Sequence, residues 1–213
     1  MIIFIKILIM KHKITLMIIV LLIFAFGVWY YRSVNKEKFL PEEVVKDTVK
    51  IENNSTLAIT TTMQLRSRAF ENGKSIPSKY TCDGTNINPP LNFSNVPTNA
   101  KSLVLIMEDH DVPRNLRPDG VFDHWIVFNI PSDVRIIEEG ERVKGLYGVT
   151  TNGKTEYTGP CPPDKEHNYT FSLYALDREL TLKAGSPKIE ILNHMTTHII
   201  AETKLVGNYE RKR

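Results

Sequence analysis

The sequence predicts a mainly β domain of antiparallel strands with peripheral helices, carried behind an N-terminal segment long enough to cross a membrane. Three observations carry that reading. Runs of strand length recur from about residue 63 onward, Gly, Pro and Asn punctuate the connections between them, and one apolar stretch, Ile14–Tyr31, stands apart from everything that follows. The 213 residues suit one ordinary domain plus an appendage. Their 42% hydrophobic and 24% charged content is that of a globular protein.

The N-terminal segment comes first. Lys11-His12-Lys13 precedes the apolar run, which only Thr15 and Gly27 interrupt. At ~1.5 Å per residue, about 18–20 helical residues cross a hydrocarbon core. Trp29, Tyr30 and Tyr31 stand where an interfacial aromatic belt belongs, with Arg32 just beyond. A cleaved signal peptide, with Ala25-Phe26-Gly27 as the cleavage site, is the alternative. The compact basic flank orients the N-terminus inside and the remainder outside the cytoplasm. Residues 1–32 are thus an anchor or signal, 33–62 a stalk with a short helix near Glu42–Val49, and 63–213 the folded domain.

Charge follows the same division. The net charge of +3 arises from residues 1–39, which carry six Lys/Arg and one acidic residue, whereas the remainder is slightly acidic. A basic excess at the ends of an apolar segment is membrane-topology chemistry, and it offers no basic stripe for a nucleic-acid backbone. Nucleic acid is excluded as a partner.

In the domain, Met63–Ala69 alternates and ends at the turn signal Asn72-Gly73. Ser102–Met107 and Trp125–Ile130 are continuous apolar runs of strand length, and Tyr169–Leu176 and Ile199–Leu205 complete the set. Ser186 as N-cap and Pro187 as the first helical residue open a helix that runs to about Met195.

Polar residues concentrate in three loop-like stretches at the ends of these runs. Asp109-His110-Asp111-Val112-Pro113 follows one strand, Asp123-His124-Trp125 heads another, and Tyr157–Pro163 leads to His167-Asn168-Tyr169. Acids, imidazoles and phenols at strand ends can converge on one rim of a sheet, and prolines stiffen the loops around them. His124, His167 and the Tyr169 hydroxyl are the donors an anion would need, and Asp109 can orient an imidazole and favour its cation.

Asp-x-Asp-x-Pro, then His-Trp heading a strand, then Gly-Pro-Cys-Pro-Pro followed by His-x-Tyr, resembles the phosphatidylethanolamine-binding protein family, in particular its prokaryotic Raf-kinase-inhibitor-like branch. Tyr80-Thr81-Cys82-Asp83-Gly84, Tyr174-Ala175-Leu176-Asp177 and Leu205-Val206-Gly207-Asn208-Tyr209 agree with it. The resemblance spans about Met63 to Tyr209. It implies a β-fold with a small cavity for phosphate-type anions or phospholipid head groups, no cofactor, and in some members regulation or inhibition of a kinase or protease. Carried over by position, the ligand site would use Asp109, His124, Pro163, His167 and Tyr169, with Asp111 and Pro113 shaping its floor. Two positions depart from the family's pattern: His110 stands where Pro is common, and Asn168 where Arg is common, which removes a bidentate anion partner.

The family places both loops that bear the two cysteines, Cys82 and Cys161, near the pocket, and their pairing would brace the Pro-rich loop; two free thiols are the alternative. Asp109, Asp111, His124 and His167 could instead hold a divalent metal for a hydrolase, although no HExxH or Cys-x-x-Cys pattern supports it. His194 and His198, four apart, read as packing or capping residues rather than a metal face.

Overall fold

A strand buried on one face alternates, whereas one buried on both faces reads as an unbroken apolar run. The sequence contains both kinds, and the computed structural model, which describes residues 62–212, shows why. Among the described residues nine strands form: β1 (Gln64–Ser67), β2 (Lys74–Ser75), β3 (Leu91–Ser94), β4 (Ser102–Asp109), β5 (Phe122–Pro131), β6 (Ile136–Ile137), β7 (Leu146–Tyr147), β8 (His167–Leu176) and β9 (Ile199–Tyr209). One α-helix, α1 (Lys188–Met195), lies between β8 and β9. The expected anchor and nearly all of the stalk, with its short helix, lie outside the described residues; among the described residues no helix is long and apolar enough to cross a membrane.

The strands make a three-stranded sheet in the order β1-β3-β6 and a six-stranded sheet in the order β2-β9-β8-β4-β5-β7. Every pairing is antiparallel except that of β2 with β9, which is parallel, so the expected antiparallel fold is a mixed one.

The central strand β4 separates two cores. Leu103, Leu105 and Met107 join Trp125, Val127, Tyr169, Phe171 and Leu205 of the large sheet and Leu65, Phe93 and Ile137 of the small one. Val104 and Ile106 point the other way, with Ile126 and Phe128, onto Leu180, Ile191 and Met195. Both faces of β4 are therefore buried, and Ser102–Met107 has no polar alternation because neither face meets water. Fully burying side chains of this size stabilises by about 1.5–3 kcal/mol each.

Two boundaries differ from expectation. Pro187 is the N-cap itself, in extended conformation (φ −71°, ψ 153°), and its carbonyl accepts the N–H groups of Glu190 (3.0 Å) and Ile191 (3.2 Å). A bridge to Val149 holds Pro187 extended, so Ser186 falls one residue too early to cap and its hydroxyl caps nothing. The polar stretches at the strand ends are also not loops throughout: Asp109, His124, His167 and Tyr169 all lie within strands, because backbone pairing continues past the apolar runs.

A candidate ligand pocket at the strand ends

The rim where β4, β5 and β8 meet owes its geometry to a bulge. Met107 faces Trp125, but Glu108 faces Asp123, so His124 is the extra residue on β5. A bulge re-aims a side chain. Here it lets His124 turn to the same face as Trp125: the imidazole lies 4.6 Å from the Phe122 ring and meets Tyr169 edge-on at 5.2 Å between centroids. Asp123 consequently points to the opposite face, where Lys188 at the start of α1 bridges it to Glu108.

His124 is buried and donates Nδ1–H to the Thr158 carbonyl at 2.7 Å, while the Thr158 N–H donates to the His124 carbonyl at 2.9 Å. A carbonyl only accepts, so the proton sits on Nδ1. Burial lowers the pKa of His124 despite that bond and the nearby Asp109 and Asp123 charges, and the ring is neutral near pH 7.

His167 has the opposite character. It is wholly buried, with Nδ1 2.7 Å from Asp109 Oδ2 and Nε2 2.8 Å from Asp164 Oδ1. Burial acts to lower its pKa, but the two carboxylate hydrogen bonds outweigh burial and raise it, so the imidazolium is held between two anions. The expectation that His167 supplies a free donor to an anion is corrected by this geometry, since both ring nitrogens are already engaged. Asp109 is the imidazole-orienting carboxylate, for His167 rather than His124, and its other oxygen accepts the Asp111 N–H at 2.8 Å.

Asp109, His124 and Pro163 line one cavity of about 410 Å³, together with Val112, Leu116, Arg117, Phe122, Thr151, Thr158, Gly159 and Cys161. That volume is within the range of small-molecule sites. Asp111, Pro113, His167 and Tyr169 are not among the residues that line it. Asp111 accepts both the backbone and the side-chain N–H of Asn168, at 2.8 and 3.1 Å, so Asn168 anchors this loop without an arginine. The Pro113 carbonyl accepts the N–H groups of Leu116 and Arg117, which turns those two residues toward the cavity. Tyr169 is buried beside His124; its hydroxyl has no well-formed hydrogen-bond partner among the described residues, and burial raises its pKa strongly. His110 leaves the pocket: it is 60% exposed and lies 3.7 Å from Glu108.

The Pro-rich wall is fixed from outside the sheet. Cys82 and Cys161 form a disulfide with Cα atoms 5.4 Å apart. The Cys82 N–H donates to the Pro160 carbonyl, the Gly159 N–H to Asn86 Oδ1 and the Tyr157 hydroxyl to the Tyr80 carbonyl. Gly159 is needed for this approach, since a Cβ there would lie 2.5 Å from the Tyr80 oxygen and 2.6 Å from Asn86 Oδ1. Gly159→Ala is expected to destabilise by about 1–3 kcal/mol through overpacking, read from its urea midpoint, and to shift the amide resonances of residues 157–163.

Sequence reasoning missed Arg117, Leu116 and Phe122, because Pro118-Asp119-Gly120 marks the stretch as a surface turn and nothing local says which way it folds. Among the described residues no cluster of three or more His, Cys, Asp or Glu side chains is disposed to hold a metal ion. His198 is paired with Asp177 at 3.0 Å, and His194 is exposed.

The family model for phosphatidylethanolamine-binding protein matches residues 66–210. The UPF0098 protein of Chlamydia trachomatis serovar D is 49% identical over 149 residues, which cover 70% of this chain and 99% of that protein. The UPF0098 protein of Methanothermobacter thermautotrophicus is 44% identical over 155 residues, with the same coverage of each. Among solved structures, a putative phosphatidylethanolamine-binding protein homologue from Chlamydia trachomatis is similar with a TM-score of 0.70 and 48% identity, over 71% of this chain and 99% of that one. Escherichia coli YbcL, described as a member of the mammalian family, is similar with a TM-score of 0.64 and 26% identity, over 71% of this chain and 100% of that one. With the strand-end motifs and the fold in agreement, the chain belongs to the phosphatidylethanolamine-binding protein family.

Proposed function

We propose that this chain is a binding protein whose pocket at the ends of β4 and β5 recognises a small phosphate-bearing molecule or a phospholipid head group. The observation that carries the reading is the convergence of Asp109, His124 and Pro163 on one cavity of about 410 Å³. Everything behind that cavity is arranged to hold it still: a buried ion pair, a bulge, a disulfide and a wall of prolines. Rigid preformed walls suit recognition, because little ordering remains to be done when the ligand arrives.

Against turnover by a thiol stands the state of Cys161 in the cavity wall, whose sulfur is held in the disulfide. In the same reading, the apolar Ile14–Tyr31 run would tether the domain to the outer face of a membrane, where it could present its ligand state to a kinase or protease target. Protease added to intact cells is then expected to degrade the domain, and full protection would place it inside.

The direct test is calorimetric titration of the full-length protein with phosphoethanolamine. Saturable binding is expected, with a loss of at least tenfold in His124→Ala, which opens the cavity wall. Equal affinity in that variant would move the ligand to another surface.

A further inference from the structure

β9 has a neighbour on its outer side along only part of its length. β2 pairs with Gly207 and Asn208 alone. Just before them the Gly73 N–H donates to the Val206 carbonyl at 2.7 Å, and the Val206 N–H donates to Asn72 Oδ1 at 2.9 Å. From Leu205 back to Ile199 the outer edge has no backbone partner among the described residues. Backbone groups alternate in direction along a strand. Those of Val206 point outward, and the register with β8 is unbroken from Val206 to Ala201, so those of Lys204 and Glu202 point outward too. A groove of about 610 Å³, lined by Leu65, Phe70, Thr203 and Leu205 among others, lies beside this open edge.

Exposed sheet edges are ordinarily guarded by charge, and lysine is a common guard. Lys204 alone would repel a second copy of the chain. Glu202, exposed on the same face two residues earlier, cancels that repulsion in one register, and neither side chain has an ion-pair partner among the described residues. Antiparallel strands exchange hydrogen bonds where outward-pointing residues face each other, so a self-pairing of β9 must set even-numbered residues opposite even-numbered ones. Glu202 opposite Glu202 brings like charges together, and Lys204 opposite Lys204 does the same. Only the register centred on Thr203 sets Glu202 against Lys204, and symmetry repeats that match on the other side of the centre.

We infer that this chain self-associates through the open edge of β9, antiparallel and centred on Thr203, across a twofold axis. Glu202 and Lys204 of one copy exchange backbone hydrogen bonds with Lys204 and Glu202 of the other, and the two large sheets join into one. Thr203 meets Thr203 in the closer, non-hydrogen-bonded position, and Ala201 faces Leu205 on the core-facing side. The pairing stops at Val206, whose groups Asn72 and Gly73 already hold. No residue of this edge lines the cavity at the ends of β4 and β5, so the association stands apart from ligand binding.

The test places a cysteine at the centre of the contact. In full-length protein purified in mild detergent, with Cys82 and Cys161 paired, Thr203→Cys oxidised by copper phenanthroline in air is expected to give a covalent dimer. Thr181→Cys, exposed in the loop after β8, reports chance collision and is expected to stay monomeric. Adding Glu202→Lys or Lys204→Glu to Thr203→Cys is expected to cut the dimer yield about tenfold, the scale of two cross-strand pairs turned from attraction to repulsion. Mixing the two charge variants is expected to restore the yield, because one then offers lysine at both positions and the other glutamate. Thr203→Cys dimerising no faster than Thr181→Cys would overturn the pairing, as would charge variants that crosslink like their parent. A mixture that stays monomeric would overturn it too, since both side chains are exposed and neither substitution disturbs the core.

Discussion

Asp109→Ala is expected to destabilise the domain by about 3–5 kcal/mol, the loss seen when one partner of a buried ion pair is removed. Asp109 satisfies three things at once. It accepts His167 Nδ1–H at 2.7 Å, accepts the Asp111 N–H at 2.8 Å, and offsets the charge of an imidazole with no exposed surface. Alanine leaves that imidazolium with Asp164 alone and orphans a backbone donor. Asp109→Asn keeps an acceptor without the charge and is expected to fall between alanine and wild type. Urea unfolding of the three proteins at pH 7 checks the order; a wild-type midpoint for Asp109→Ala would show that His167 is not held as an ion.

The same pair gives the domain a pH signature. His167 has its pKa raised in the fold, so the stability it contributes is complete below the ordinary histidine value of about 6.5 and is lost as pH rises through its raised value. His124 has its pKa lowered by burial, so its contribution is complete above about 6.5 and is lost as pH falls through its depressed value. Two histidines whose rings flank Tyr169 thus weaken the fold at opposite ends of the pH range. Asp109→Ala is expected to flatten the alkaline limb and, by removing a carboxylate that raises the His124 pKa, to extend the acid limb to lower pH.

The second large effect is that of the disulfide. Cys82 and Cys161 are separated by 79 positions in sequence, and in the chain-entropy model closing a loop of this length restricts the unfolded chain by about 4 kcal/mol. The double variant Cys82→Ser/Cys161→Ser is expected to lose about 2–5 kcal/mol, measured as a shift in urea midpoint. The native loop should keep its place, because the Cys82 N–H, the Gly159 N–H and the Tyr157 hydroxyl fasten it independently. An unchanged pocket with a lower midpoint would separate the stabilising role of the bridge from a shaping one; loss of ligand binding in the folded variant would join them.

How much of this was legible depends on where each instruction is written. The long strands announce themselves because β4, β5 and β8 fill their length with Leu, Ile, Val and Phe. Two-residue strands such as Lys74–Ser75 and Leu146–Tyr147 carry no such pattern, since their pairing is set by the strand they land on. Asp109, His124 and Pro163 were found through their order along the chain, which the family shares. The role of His167 was only half legible: its nearness to a carboxylate was expected, but the second carboxylate, Asp164, reaches it only because the loop doubles back. His124 faces the pocket because of a bulge, and a bulge is a property of two strands together. Arg117 stayed hidden for a related reason, as a turn sequence states its curvature and not its neighbours.

The placement of β9 bears on how the chain is made. β9, the last strand in chain order among the described residues, is not at the margin of its sheet but second from the edge, between β2 and β8. Until it arrives, β8 presents an open row of amides and carbonyls ten residues long, and β2, which pairs with nothing else, has no partner. The nascent chain therefore holds an unsealed sheet until β9 has been made, a template for pairing with other chains. Closure requires contacts between residues as far apart as Lys74 and Gly207, the kind of long-range joining that slows folding. Truncation within β9 should thus convert a folded domain into an aggregating one well before any pocket residue is removed.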